Sequence, residues 1–439
     1  MMDTNKTMTA IREKTAAAVN CSCTTLPSGL TVLCRTMPGY STVHAMYATS
    51  FGSVVRDFVL DGKTVRLPAG TAHFLEHKMF ESEQGDAFDL YAKTGAAANA
   101  FTGYDRTCYI FSATQKIDEN LDILLNMVGK PWFTAATIAK EQGIIGQEIK
   151  MYDDSPDWRL LTALFRCLYQ THPIRDDIAG SVESIAELTP ELLYACTDAF
   201  YRPGNMVLSV AGDITLEQAV AACRRAGLDA PAAPHTVQKL FAPEGTGVAQ
   251  KESTFPMPVN KPCFALGYRE APIARGDTKR EILCDMLPDL ICGGLTALYR
   301  KLYDSALVNP EFSGDYVAAD DCCVIAFTGE SESPRAVADM VRQEIARLRR
   351  DGVEEELFTL VKNQMYGELL ADVEGVEDAA EEMGTAFLKG RTLADEIEAL
   401  ATLTLTDVNE ALPTMLLEEN SAYVEIEPQK ADEESGAEE

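Results

Sequence analysis

Histidine is scarce in this chain, with five in 439 residues, so two that fall close together carry weight. Long apolar runs are absent as well. No stretch reaches the eighteen or so apolar residues of a membrane-crossing helix, so none is expected. The opening segment MMDTNKTMTAIREKTAAAV holds no apolar core of the length a secretory signal needs. Positive charge is in deficit, 38 Lys and Arg against 68 Asp and Glu, for a formal net charge of −30. Phosphate-bearing partners would be repelled, which argues against nucleic acid and against an anionic membrane surface. Neutral or basic peptides remain compatible, although acidic surfaces commonly serve solubility alone. The twelve cysteines form no regular framework. Cys21-Ser-Cys23 has the wrong spacing for a zinc knuckle, and Cys322-Cys323 opens an apolar run that reads as a buried strand. Reduced, mostly buried thiols in a soluble, cytoplasmic protein are the expectation.

At this length two domains are expected. Residues 26–55 read as two strands, LTVLCRT and HAMYATS, joined by the turn at Pro38-Gly39. A loop with Asp61-Gly62 follows, then a segment for which Thr71 is a candidate N-cap. A short helix ends at Gly95, and the aromatic and β-branched stretch 98–114 reads as strands. Ile117, Leu121, Leu124 and Val128 mark one helix face, and Thr134 caps another helix running to about Tyr152. The turn Asp153-Asp154-Ser155-Pro156 ends it, and Trp158, Leu161, Phe165 and Leu168 mark the next. Residues 226–256, rich in Ala, Pro and Gly without periodicity, read as a linker. Beyond it the strand–helix grammar recurs. NMVLSVAGDITLEQAV (205–220) resembles CVIAFTGESESPRAV (323–337) in order and spacing, which suggests a duplicated unit. The final acidic run reads as a disordered tail.

Two of the five histidines lie in His73-Phe-Leu-Glu76-His77. On a helix, positions i and i+4 share a face, so both imidazoles can reach one zinc ion at about 2.0–2.1 Å. Glu76 stands beside them. Zinc lowers the pKa of water it polarises toward about 7, and a neighbouring carboxylate can take the proton. H-x-x-E-H is the inverted form of the zincin motif. A catalytic zinc also needs a third protein ligand. Helix 134–152 offers Glu141 and Glu148, seven residues apart and so on one face, read as opposite the stripe of Ile138, Ile145 and Ile149. Spacing alone does not choose between them, and glutamates on a helix are commonly just solvated. Gly245-Thr-Gly247 lacks the spacing of a phosphate loop, and no G-x-S-x-G turn is present.

The runs GTAHFLEHKMFE, ANAFTGYDRTCYIFSAT and KEQGIIGQEIKMYDDSP together resemble the active-site half of the insulinase/pitrilysin family of zinc metallopeptidases. Its short two-domain members, processing-type peptidases and mitochondrial processing peptidase subunits, are the most similar. The resemblance covers residues 25–220 well and the second half more loosely. It implies that His73, His77 and Glu148 bind one Zn2+ per chain, that Glu76 is the general base, and that Glu141 is the supporting carboxylate. It also implies that Asn99-Ala100-Phe101 forms an edge strand holding substrate by backbone pairing. His172 falls in a scaffold run. Active relatives carry, in the second half, an arginine followed seven residues later by a tyrosine. No such pair follows residue 260 here; the equivalent segment is read as YRKLYDSALVNPEF (299–312), with Tyr303 and Asn309, six apart, taken as the nearest counterparts.

The expected architecture is therefore α+β, with two structurally similar domains, each a mainly antiparallel sheet covered by helices. The expected division is an N-terminal extension 1–22, a catalytic zinc-binding domain 23–226, a linker 227–256, a second homologous domain 257–427 and the acidic tail 428–439. The expected activity is that of a zinc endopeptidase acting on peptides or short unfolded segments. It would work as a homodimer or as a heterodimer with a related family subunit, with no nucleic acid or membrane partner. The competing expectation is a weakly active or non-catalytic subunit of such a heterodimer.

Overall fold

A computed structural model describes residues 21–83, 85–231 and 236–429. The N-terminal extension up to residue 20 and the acidic tail from residue 430 lie outside the described residues. The first half opens with β1 (Ser22–Thr25), β2 (Thr31–Thr36), β3 (Val43–Thr49), β4 (Asp57–Leu60) and β5 (Lys63–Arg66). Helix α1 (Thr71–Met79), the short β6 (Glu81–Ser82) and β7 (Gly85–Asp86), and α2 (Ala87–Thr94) follow. Next come β8 (Ala97–Thr102), β9 (Thr107–Ala113), α3 (Ile117–Gly129), α4 (Ala135–Asp153) and α5 (Pro156–Leu168). The half closes with α6 (Val182–Ile185), α7 (Pro190–Phe200), β10 (Met206–Gly212) and α8 (Leu216–Arg225).

The second half begins with β11 (Val237–Leu240), β12 (Glu252–Met257), β13 (Cys263–Glu270), α9 (Thr278–Cys292) and α10 (Ala297–Asp304). It continues with β14 (Ser313–Ala319), β15 (Cys322–Glu330), α11 (Pro334–Asp351), α12 (Glu355–Asp372) and α13 (Val376–Leu388). Helices α14 (Leu393–Thr402) and α15 (Leu405–Ala411) lead to the last strand, β16 (Ser421–Pro428). Among the described residues no single helix is long and apolar enough to cross a membrane, and the bent pair α9–α10 passes that test only jointly.

The first sheet runs β1-β2-β10-β3-β9-β8. Only β2 and β10 run parallel; the other neighbours are antiparallel. Although β2 and β3 are joined by the short Pro38-Gly39 turn, β10 inserts between them. Its seven residues are all buried, which suits a strand flanked on both edges and covered on both faces. The Asp61-Gly62 loop proves to be a hairpin turn between β4 and β5.

The second sheet runs β12-β16-β13-β15-β14, with β16 parallel to β12 and antiparallel to β13. Its order repeats that of β2-β10-β3-β9-β8. The duplication is therefore real, but the segments proposed as equivalent are not. β10 corresponds to β16, and β15 corresponds to β9. A buried strand that feeds a helix through a polar turn looks the same locally wherever it sits in a sheet, so local grammar matched the wrong pair.

The halves exchange a helix. From the first half, α5 packs Leu160, Leu164 and Leu168 against Ala265, Val424 and Ile426 of the second sheet. From the second half, α13 packs Ala379, Ala380 and Met383 against Met46, Ala48 and Val207 of the first. Gly384 permits that approach, since a Cβ there would crowd Met46 and lie 3.2 Å from the Ser209 Cβ. The other face of the first sheet is covered by α1, α3 and α8, which bury Phe74, Leu121, Leu124 and Ala222 against Ala45, Phe111 and Val210. The stretch 226–256 contributes to both halves, because β11 pairs with β4 and β12 with β16.

Candidate metal centre

Helix α1 starts from Gly70, whose backbone is left-handed at φ 85° and whose side makes no cap. Thr71, expected as the N-cap, is instead the first helical residue, and its Oγ1 donates to the Pro68 carbonyl at 2.7 Å. A cap residue with a Cβ does not fit here, because that Cβ would fall on the Ala179 carbonyl. From the first and second turns, His73 and His77 project side by side with ring centroids 4.7 Å apart.

Helix α4 crosses beside α1, capped at Thr134 by a reciprocal pair with Thr137. Glu141 is buried together with Ile138, Ile145 and Ile149. The glutamates therefore border the isoleucine stripe rather than opposing it. Three residues on a helix turn about 300°, which leaves Glu141 only about 60° from Ile138.

The carboxylate of Glu148 straddles both imidazoles, with Oε1 3.5 Å from His73 Nε2 and Oε2 3.5 Å from His77 Nε2. Those spacings are long for direct hydrogen bonds. They match two donors held about 2.0–2.1 Å from one tetrahedral ion, which stand about 3.4 Å apart. One ligand atom from each of His73, His77 and Glu148 lies within 4.8 Å of the others. Two neutral-capable nitrogens and one carboxylate make a donor set suited to zinc with a position left for chemistry. His77 Nδ1–H donates to Glu141 Oε1 at 3.1 Å, which leaves Nε2 free to face an ion. His73 Nδ1 is buried without a hydrogen-bond partner among the described residues.

The electrostatics separate the three carboxylates. Contact with His73 holds Glu148 down to about 2, against the upward push of burial. Burial also pushes Glu141 up, but the His77 N–H outweighs it and the carboxyl stays below its usual range. Glu76, only 7% exposed, is raised by burial, with His73 and Thr102 pulling the other way. Thr102 Oγ1 donates to Glu76 Oε2 at 2.7 Å.

A cavity of about 420 Å³ is lined by His73, Glu76, His77, Glu148, Asn99, Ala100 and Phe101. The expected strand thus lies beside the His73, His77 and Glu148 side chains. It is β8, the edge of the sheet, paired on one side with β9. The Ala100 N–H donates to the Asn99 side-chain carbonyl at 2.9 Å. An adjoining cavity of about 590 Å³ brings Phe80, Phe88, Trp132 and Ile144 beside Glu76 and His77. Every lining residue of both cavities comes from the first half.

Two family models match the chain, and the second begins inside the first half, ahead of α7. A family model described as Insulinase (Peptidase family M16) matches residues 67–181, and one described as Peptidase M16 inactive domain matches residues 187–365. The uncharacterized zinc protease YmfH of Bacillus subtilis (strain 168) is 33% identical over 412 residues, covering 92% of this chain and 95% of that one. This chain belongs to the insulinase family, peptidase family M16. Its fold is shared, at a TM-score of 0.90 and 32% identity, with an M16-like peptidase from Alicyclobacillus acidocaldarius, over 93% of this chain and 98% of that one. The probable mitochondrial-processing peptidase subunit beta of Schizosaccharomyces pombe is 30% identical over 214 residues, 48% of this chain and 45% of that one.

Membership in a zinc-protease family sharpens what lies away from the cleft. Tyr303 is 49% exposed and stacks on Tyr299, and Asn309 contacts Glu311 and Glu330; neither lines the cavities around the histidines. His172 is structural, as expected. Its Nδ1 accepts from the Ile174 N–H and its Nε2–H donates to the Asp320 carbonyl, tying the two halves together. Five residues that line this cavity were not expected there from the sequence: Thr102, Tyr152, Trp158, Ile178 and Ala179. Tyr152 alone had a legible signal, standing one helical turn after Glu148.

Proposed function

We propose that the chain is a zinc-dependent endopeptidase that hydrolyses peptide bonds in peptides or short unfolded segments. His73, His77 and Glu148 would hold one Zn2+ per chain, with Glu141 orienting His77. When bound, zinc supplies Lewis acidity toward the scissile carbonyl and the attacking water. Glu76 takes the proton from that water as general base, and its raised pKa favours the transfer. The edge strand Asn99-Ala100-Phe101 pairs with the substrate backbone, which selects extended, unfolded segments rather than folded ones. The observation that carries the reading is the placement of Glu76 in one cleft with both imidazoles, Glu148 and an open strand edge.

Pairing with a second copy or a related chain belongs to the same proposal, supported by the subunit name of the Schizosaccharomyces pombe relative. So does a cytoplasmic location, for which the free state of all twelve cysteines is the support. A second reading, a weakly active or non-catalytic subunit, is favoured by the position of Tyr303 and Asn309 outside the cleft. Losing one transition-state donor costs about 10²–10³ in rate.

The test is metal analysis beside a peptide-library digest of the lone purified chain and of Glu76→Gln. The endopeptidase reading expects about one zinc in both proteins and cleavage only in the wild type. Full cleavage by Glu76→Gln would remove Glu76 as the base. Zinc without cleavage by the wild type would favour the subunit reading.

A further inference from the structure

Resting on the zinc assignment above, we propose that Tyr152 is a positioning residue for Glu148, and that Trp158 and Asp177 hold Tyr152 in place. A glutamate side chain has three rotatable bonds, and Glu148 keeps a fifth of its side chain in solvent, at 21% exposure. Something must hold its carboxylate across the two imidazoles. The Tyr152 hydroxyl, one turn further along α4, donates to Glu148 Oε1 at 2.8 Å. A carboxylate oxygen carries two lone pairs, so this bond does not consume the one directed at an ion.

Tyr152 by itself is poorly placed to steady anything, because α4 ends at Asp153 and last turns fray. The next helix corrects this. The Trp158 indole lies on the Tyr152 ring, centroids 4.8 Å apart and planes inclined by 20°. The Trp158 Nε1–H donates to Asp177 Oδ2, and Asp177 Oδ1 accepts the Ala179 N–H at 2.9 Å. The Ala179 carbonyl in turn packs against Gly70, where the histidine helix begins. The contacts thus form a closed ring from the third ligand back to the helix that carries the other two. Its consequence is that α1 and α4 hold their ligands in one fixed relation before any ion arrives.

The experiment measures zinc affinity of the full chain by competition with a chromogenic chelator, alongside melting of the metal-free proteins. Tyr152→Phe keeps the ring on Trp158 and removes only the hydroxyl. It is expected to weaken zinc binding by about 10–100-fold while leaving the metal-free melting temperature unchanged. Trp158→Phe, which keeps a stacked ring but loses the indole N–H, is expected to weaken binding less. Zinc affinity of Tyr152→Phe within about twofold of wild type would overturn the proposal while leaving the zinc site standing. A loss of affinity matched by a fall in metal-free stability would also overturn it, assigning the hydroxyl to folding. A wild-type chain that binds no zinc would overturn the site and this inference together.

Discussion

Glu76 and Glu148 carry the same functional group in the same cleft, yet their surroundings pull them in opposite directions. Burial raises Glu76, whereas contact with His73 lowers Glu148. A base needs affinity for a proton, and a metal ligand must surrender it, so the two directions suit the two proposed roles. Glu141 is a third case, spent on His77 Nδ1. Removing a ligand breaks the three-donor set, while removing a supporting carboxylate typically costs about 10–100-fold in metal affinity. Glu148→Gln is therefore expected to lose more metal than Glu141→Gln when zinc content is measured after gel filtration. The reverse order would exchange their assignments. The choice between these glutamates was not readable from spacing, because both sit on the same side of one helix. The family resemblance named Glu148, and the structure sets its two oxygens against the two histidine Nε2 atoms and Glu141 against His77 Nδ1.

At the level of elements, the head of α1 depends on backbone shape rather than on a polar cap. Gly70 combines φ 85° with contact against the Ala179 carbonyl. Both features bar a side chain, so Gly70→Ala combines left-handed strain of about 1–3 kcal/mol with a backbone clash. Chemical denaturation is expected to show at least that loss, and chelator competition a weaker zinc site, since His73 lies in the first turn. Unchanged stability would mean that the approach of Ala179 matters less than the geometry indicates. Thr71 misled the sequence reading because a threonine before an apolar run is a common start signal. Nothing local reported that a loop more than one hundred residues away would occupy the space beside it. Thr134, with no such intruder, caps α4 as the sequence suggested.

Across the whole molecule, the exchanged helices α5 and α13 make each half incomplete without the other. The end of α13 is tied to α9 by a buried charge cluster around Glu281, which is 5% exposed. Its carboxylate accepts from Lys389 Nζ at 2.6 Å, from Arg391 and from the Tyr316 hydroxyl at 2.9 Å. Burial pushes Glu281 up, but Lys389 and Arg391 outweigh it and bring the carboxyl from 4.5 to about 2. The folded state therefore prefers the ionised form. That contribution is present above pH 4.5 and is lost as pH falls through about 2. A shift of this size corresponds to roughly 3 kcal/mol. Glu396, raised by burial despite its contact with Arg391, acts in the opposite sense. Urea unfolding across this acid range is expected to show a steeper loss of stability for wild type than for Glu281→Gln. Equal slopes would remove Glu281 as the source.

The sequence by itself determined the elements and the chemistry: His73 and His77 one turn apart with Glu76 between them, a glutamate helix capped at Thr134, and two α+β halves. Those features follow from periodicity and residue type within a few turns of chain, which is the range over which backbone geometry is set locally. The tertiary structure alone decided which strand lies between which, that α5 and α13 trade partners, and that Trp158 and Thr102 belong to the cleft. Those depend on contacts between residues far apart in the chain, where burial and packing choose among arrangements that local pattern leaves equal.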